Sequence, residues 1–260
     1  GGIGTLAATA QGTADATATT VDESAKAFAS QQSVGIDAGL DMVTASDAMV
    51  SSTSTIVGGA DAASTSGDTA VAEMNFAALG GSGINLNAGG IGTMSTGANV
   101  TGDASATGVG SDTSSSGNLA ALGLGGSTFT SASDGTVSAT GFIDGSVSAS
   151  STDGASISSG VFDAIGVGGL QNMAVGGVLD LTGRAQAFGD VSAESVDSTA
   201  SATSGRSIIK GIQEAVLDGD SDGTILGTAF GDFSTTAEST GANATANAAQ
   251  TMRGIEDLNL

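Results

Sequence analysis

The sequence FAALG at residues 76–80 indicates the fold, because the chain repeats it at a fixed interval. LAALG at residues 119–123 and FDAIG at residues 162–166 follow the same [F/L]-x-A-[L/I]-G pattern, each 43 residues after the preceding copy. Self-similarity at a fixed period of this length is typical of solenoids and other repeat architectures. We therefore expect a fold of stacked copies of one supersecondary unit.

Two further series share this period. One is a glycine followed by small alternating residues, at Gly12, Gly59, Gly102, Gly145, Gly189 and Gly231. The other is a glycine followed by isoleucine or leucine, at Gly83, Gly169, Gly211 and Gly254. Together the series predict about six repeats of roughly 43 residues, paired at a double period of about 87. Repeats 1 and 2 then occupy residues 1–88, repeats 3 and 4 residues 89–175, and repeats 5 and 6 residues 176–260, in one continuous solenoid.

The composition predicts that each repeat is built from β-strands. The chain has 43 Gly and no Pro, and runs such as VSAES at residues 191–195 alternate an apolar residue with a small polar one. Alternation with a period of two over a few residues is the signal of a strand. Six such runs fall between residues 176 and 218, which predicts two coils of about three strands in each repeat. The expected fold class is all-β, a β-solenoid of the β-helix-like kind.

Two details of the interior are also predicted. The apolar residues of segment 208–216 are spaced like one face of a short helix, but the copies of this segment in other repeats alternate like strands. A strand is therefore favoured there, because the copies should share a fold. The eight Phe are expected to form short internal ladders, with Phe188 and Phe230 as an example.

The charge and the missing residue types argue against several functions. The net charge is −22, from 27 acidic and 5 basic residues, and nucleic acid is a poor partner because phosphate contacts need clustered Lys and Arg. The sequence has no run of about 18 apolar residues, so we expect no membrane span. It has no His and no Cys, so the usual general bases and nucleophiles are missing. We expect neither an enzyme nor a small-molecule substrate.

The sequence DGDSDGT at residues 218–224 is the candidate metal site. D-x-D-x-D-G is similar to the calcium loop of EF-hand modules, in which alternate aspartates supply oxygens and the glycine allows a sharp turn. The resemblance implies Asp218, Asp220 and Asp222 as ligands and Thr224 as a carbonyl donor. The chain departs from the EF-hand pattern at Ala229, where a bidentate Glu is required, so a solvated corner of the solenoid is the alternative. No cofactor other than this calcium ion is expected.

The two ends of the chain read as parts of one further repeat. GGIGTL at residues 1–6 matches GGIGTM at residues 89–94, and GIEDLNL at residues 254–260 resembles GINLNA at residues 83–88. Apolar residues occur at both ends in the register of a continuing repeat: Ile3, Leu6, Leu258 and Leu260. The end coils of a solenoid expose backbone groups and apolar side chains unless they are covered. We therefore expect head-to-tail self-association into a filament.

In composition and in its Gly-rich corners, the whole chain resembles the repeat regions of bacterial extracellular β-solenoid proteins, the class of adhesin stalks and self-assembling surface fibres. The resemblance implies a structural protein, extracellular or at the cell surface, without catalytic residues. One alternative is a calcium-stiffened stalk segment of a large surface adhesin. Another is an ice-binding solenoid, suggested by ATATT at residues 16–20, but Thr-x-Thr does not recur at the 43-residue step.

Overall fold

The computed structural model describes residues 4–218 and 222–260, and over these residues the chain forms strands joined by short turns. In chain order the strands are β1 (Gly4–Thr20), β2 (Ala25–Ile36), β3 (Leu40–Thr44), β4 (Ala48–Thr65), β5 (Thr69–Ser82), β6 (Ile84–Ala88), β7 (Gly92–Val109), β8 (Asp112–Gly125), β9 (Ser127–Ser131), β10 (Gly135–Thr152), β11 (Ser156–Val167), β12 (Leu170–Val175), β13 (Leu179–Val196), β14 (Ala200–Ile212), β15 (Ala215–Asp218), β16 (Gly223–Thr240), β17 (Ala244–Ile255) and β18 (Leu258–Asn259). Each successive group of three contains a long, an intermediate and a short strand.

The strands form three parallel sheets of six strands each. The first sheet has the order β1-β4-β7-β10-β13-β16, the second β2-β5-β8-β11-β14-β17, and the third β3-β6-β9-β12-β15-β18. Each strand therefore pairs with the equivalent strands of the neighbouring groups. Every group of three strands is one coil, and six coils (coil 1 to coil 6) stack with a rise of about 4.8 Å per coil. This arrangement confirms the predicted all-β solenoid.

Each repeat forms one coil, so the prediction of two coils per repeat is wrong. The runs VLDLT (apart from Val178), RAQAF and VSAES, which read as three strands in the sequence, belong to the single 18-residue strand β13. The glycines between these runs do not end the strand, because Gly183 and Gly189 stay paired with neighbouring strands on both sides. A glycine inside a strand often marks the close approach of another part of the chain, and both glycines here face the interior.

Segment 208–216 is strand, as the repeat pattern favoured. Most of it belongs to β14 and β15, which pair in parallel with the coils on either side. Ile209 and Ile212 are completely buried, whereas Ile208 and Lys210 are partly exposed. Ile209 therefore points inward between two outward-facing neighbours, as the alternation of a strand requires.

The coils enclose two separate apolar cores. The larger core lies between the first and second sheets and consists mainly of alanine, with single large residues such as Phe76, Leu119 and Phe162. The smaller core lies where the first and second sheets meet the third, around Leu86 and Phe129. Because most inward-facing residues are small, one coil buries little apolar surface, and stability depends on stacking with its neighbours.

A row of glycines near the ends of the second-sheet strands separates the two cores. Its members are Gly35, Gly80, Gly123, Gly166, Gly211 and Gly254. A Cβ atom on Gly123 would lie 2.6 Å from the carbonyl oxygen of Gly166 and 2.7 Å from the backbone nitrogen of Thr140. The second sheet therefore touches the backbone of the first sheet here, which explains the final glycine of the [F/L]-x-A-[L/I]-G pattern.

Three members of the first glycine series, Gly102, Gly145 and Gly189, stack in register inside the long strands and not at corners. A Cβ atom on Gly145 would lie 2.3 Å from Leu119 Cδ1 and 2.9 Å from Phe162 Cε1. Large side chains of the second sheet occupy the space that these glycines leave. The first glycine series and the [F/L]-x-A-[L/I]-G series are therefore complementary, since these three glycines face the large first residue of that pattern.

Phe188 and Phe230 lie on the outer surface, so the prediction that they form an internal ladder is wrong. Successive side chains of a strand point to opposite faces, and Phe188 directly precedes an inward-facing glycine. Phe142, Phe188 and Phe230 form an outer ladder with ring-centroid distances of 5.9 and 5.6 Å. An internal ring contact instead joins Phe162 and Phe233 at 5.7 Å.

The glycines that are followed by isoleucine or leucine do not all occupy the same position in the coil. Gly83 lies in the turn before the third sheet with a φ of 61°, whereas Gly211 and Gly254 belong to the row that separates the cores. The turn between the first and second sheets has a left-handed residue in coils 2 to 6: Ser66, Gly110, Asp153, Asp197 and Gly241. Glycine and aspartate adopt this conformation more readily than most residues.

Candidate functional site

The first and last coils have open sheet edges. Among the described residues, β1, β2 and β3 each pair with one neighbouring strand, and so do β16, β17 and β18. Inner strands such as β7 alternate buried and partly exposed residues, whereas β1 contains no buried residue and β17 is exposed over most of its length. An open edge presents backbone N–H and C=O groups that can pair with a further strand. The two open ends are therefore the candidate functional surfaces.

The apolar residues predicted at the ends face the interior where the structure describes their contacts. Leu6 in coil 1 and Leu258 in coil 6 are half-buried and pack against the smaller core. Leu260 is 82% exposed, and Ile3 lies outside the described residues. Leu6 and Leu258 thus lie at opposite ends of one core, where a further coil on either end would cover them.

Outward-facing side chains form polar columns that run from coil to coil. In the third sheet, Asn85 Nδ2 donates to Asp41 Oδ1 at 2.9 Å, and Thr128 Oγ1 donates to Asn85 Oδ1 at 2.9 Å. In the first sheet, Ser146 Oγ donates to Asp103 Oδ1 at 2.6 Å. Contacts on the outer surface therefore contribute to the recognition of one coil by the next, in addition to the core.

One acidic column changes residue type with every coil. From coil 1 to coil 6 it contains Asp15, Gly59, Asp103, Ser146, Asp190 and Ser234. Carboxylates directly opposite each other on neighbouring strands repel, and the glycine and serine keep these three aspartates apart. The alternation gives a physical reason for the double period of about 87 residues in the sequence.

At the corner between the third and first sheets, an aspartate likewise occurs in every second coil. Asp47 Oδ1 accepts a hydrogen bond from the Ile91 N–H at 2.8 Å, and Asp134 Oδ1 accepts one from the Val178 N–H at 2.9 Å. Asp222 is the third member of this series, since all three aspartates directly precede the first residue of a long strand. In the two inner cases the carboxylate fixes the corner of the following coil.

The predicted calcium loop lies at the last of these corners. Asp218 is the exposed last residue of β15, Asp222 is exposed, and Thr224 is exposed near the start of β16. Asp220 lies outside the described residues. Within residues 4–218 and 222–260, no group of three or more potential ligands is placed to hold a metal ion. Asp222 shares the corner position of Asp47 and Asp134, and the calcium site stays a prediction.

The calcium prediction has a direct test by thermal unfolding. A ligand that binds only the folded state stabilises it by about 2.7 kcal/mol at a hundredfold excess over Kd, so calcium should raise the melting temperature and EDTA should reverse the rise. Asp220→Ala should remove this gain. Asp134→Ala, at a corner without the neighbouring aspartates, should retain it. Identical melting curves in calcium and in EDTA would exclude the site.

The outer face of the second sheet carries a shallow groove across coils 1 to 4. Its apolar part is lined by Val34, Leu79, Leu122 and Ile165, which stack in one column. Asp163 borders both the apolar part and a more polar part of the groove. Its side chain is half-buried, so the carboxylate is partly withdrawn from water.

Burial raises the pKa of the Asp163 carboxyl above its ordinary value of 3.8, and a 2.8 Å hydrogen bond from the Ile208 N–H to Oδ1 opposes this rise. A carboxyl with a raised pKa in the folded state destabilises the fold when it ionises. Its contribution to stability is complete below the ordinary pKa and is lost as the pH rises through the folded-state pKa.

Asp163→Asn should therefore raise the melting temperature modestly at pH 7, because the amide oxygen can still accept from Ile208 and carries no charge. The difference should disappear below pH 3.8, where the carboxyl is protonated in both states. Asp61→Asn on the exposed surface is the matched control. A melting temperature of Asp163→Asn below that of the unmodified chain at pH 7 would show that the desolvation argument fails.

Nothing in the described part of the chain is a helix long and apolar enough to cross a membrane. Comparisons with family models, with curated proteins and with solved structures found no match to this chain. The argument for function therefore depends on the fold and on the geometry of its two ends.

Proposed function

We propose that this chain is a structural protein, a subunit or segment of an extracellular filament in which β-solenoid units join head to tail. The observation that carries this proposal is the pair of open ends. Coil 1 and coil 6 each present three parallel edge strands with a partner on one side. Because all strands of a sheet run in the same direction, coil 1 of a second copy continues the stack beyond coil 6 without reversing any strand.

The contact between these ends is heterologous, since it joins two different surfaces. Heterologous contacts generate open assemblies unless a rotation closes them into a ring. Each copy adds six coils of about 4.8 Å and so advances the stack by about 29 Å along its axis. A translation of this kind favours a filament over a ring.

The surface of the chain suits a long polymer in water. The net charge of −22 makes the sides of neighbouring filaments repel one another, which keeps them soluble and separate. The proposed function needs no catalytic residue, cofactor or nucleic-acid partner. The extracellular location follows from the resemblance to surface β-solenoid proteins.

Electron microscopy of the purified chain tests this proposal. We expect unbranched filaments of uniform width, many times longer than the six-coil unit of about 29 Å. Their length should increase with protein concentration, because growth is an association reaction. Single-chain particles at every concentration would contradict the proposal.

A further inference from the structure

The alternating acidic column distinguishes the two ends of the stack. Its coil 1 member is Asp15 and its coil 6 member is Ser234. When coil 1 of a second copy is placed on coil 6, its Asp15 lies over Ser234, and the alternation of acidic and small residues continues without interruption. Inside the chain the same column contains a bonded pair in the opposite order, in which Ser146 of coil 4 donates to Asp103 of coil 3.

The third sheet and the smaller core are also consistent with coil 1 of a second copy lying on coil 6 in this register. Asn259 in coil 6 occupies the column position of Asn85 in coil 2, and Asp41 of the second copy lies over it. Inside the chain Asn85 of coil 2 donates to Asp41 of coil 1, so the same two residue types bond there in the opposite order along the stack. In the core, Leu258 then meets Leu40 of the second copy, so an apolar side chain is covered by another.

We propose that the open edge of coil 6 binds coil 1 of a second copy of this chain with Gly223 opposite Gly4, and that the alternating carboxylates select this register. The inference rests on the proposed filament and adds the register and the side chains that determine it. In this register no acidic side chain of β16 lies over an acidic side chain of β1. Asp232 meets Thr13 and Glu238 meets Thr19.

Shifts of one residue, and of two residues in one direction, bring unfavourable contacts. A shift of one residue turns every inward-facing side chain of the edge strand outward. A shift of two residues in one direction places Asp232 directly opposite Asp15, and like charges at such positions are destabilising. Sliding the second copy along the strands in either direction also changes the register of the second sheet. The chain reverses at the turn 21–24, so a movement that advances one sheet sets the other back.

Ser234→Asp tests the selection by charge. It places a carboxylate between Asp190 and the Asp15 of the second copy, and at low ionic strength we expect the minimum concentration for filament growth to rise roughly two- to fivefold. Thr236→Asp is the matched control, because it adds the same charge to the same edge strand between two uncharged residues, and it should change this concentration less than about twofold.

A rescue variant distinguishes an effect of Ser234→Asp on the junction from an effect on the stability of the chain itself. Asp15→Ser added to Ser234→Asp removes the opposing carboxylate at the junction but leaves the new charge beside Asp190, and growth should return to the level of the Thr236→Asp control. Salt at about 1 M, where the Debye length is about 3 Å, should also reduce the defect.

The outcomes distinguish the register from the filament. Filaments of the unmodified chain, together with equal growth of Ser234→Asp and Thr236→Asp or no rescue by Asp15→Ser, would overturn the register and leave the proposed function standing. If the unmodified chain forms no filaments at all, the proposed function fails, and the register fails with it.

Discussion

Leu258→Asp should abolish filament growth at concentrations where the unmodified chain grows readily. Leu258 faces the smaller core, and in the proposed filament it is covered by coil 1 of the next copy. An unpaired carboxylate buried at that position costs about 3 kcal/mol or more, which weakens each junction by roughly a hundredfold or more. In the isolated chain Leu258 is only half-buried, so the fold should tolerate the change better than the junction does.

Leu226→Asp is the matched control for this variant. Leu226 belongs to the same open coil, but it faces outward and is 48% exposed. In the proposed register it lies opposite Ala7 of the second copy, so its carboxylate would remain in water. Filament length measured by electron microscopy should be nearly normal for Leu226→Asp and strongly reduced for Leu258→Asp. Equal lengths for the two variants would show that Leu258 is not part of the junction.

Gly123→Ala should lower the melting temperature by roughly 10 °C, because the added methyl group has no space where the two large sheets touch. The new Cβ atom would lie 2.6 Å from the Gly166 oxygen and within 2.8 Å of two backbone atoms of Thr140. These atoms belong to paired strands, so the clash can be relieved only if the sheets move apart. We expect a loss of about 3 kcal/mol in the free energy of unfolding.

Gly97→Ala makes the same substitution in the same coil without the clash. No other heavy atom would lie within 4 Å of a Cβ atom on Gly97, and glycine in a strand is less favourable than alanine. Its melting temperature, followed by circular dichroism, should be unchanged or slightly raised. If the two alanine variants melt together, the close contact between the sheets at Gly123 does not exist.

The repeat period and the period-two runs together are sufficient to predict the class of fold. A unit that recurs every 43 residues must bury its apolar face against its own copies, and period-two runs such as VSAES identify those units as strands. The number of coils was not predictable in this way. A glycine ends a strand in one context and continues it in another, and at Gly183 the choice depends on the facing backbone of Gly211.

The positions of individual side chains depend on register, which the pattern of one strand does not contain. The sequence predicts an internal ladder that includes Phe188 and Phe230, but the glycine after each ring points inward and places both rings outside. The alternating column of Asp15, Asp103 and Asp190 was visible in the sequence only as residues 88 and 87 positions apart. Its meaning became clear once strand pairing placed the three aspartates in one line.

The axial spacing of the assembled protein tests the central claim most directly. X-ray diffraction from aligned filaments, or an electron-microscopy reconstruction, should show strands stacked perpendicular to the axis at about 4.8 Å and a repeating unit of six coils of about 29 Å along the filament. The chain identity should change at each 29 Å step without any break in the 4.8 Å stacking. A filament whose strands run along its axis, or whose subunits join side by side, would contradict head-to-tail stacking of this solenoid.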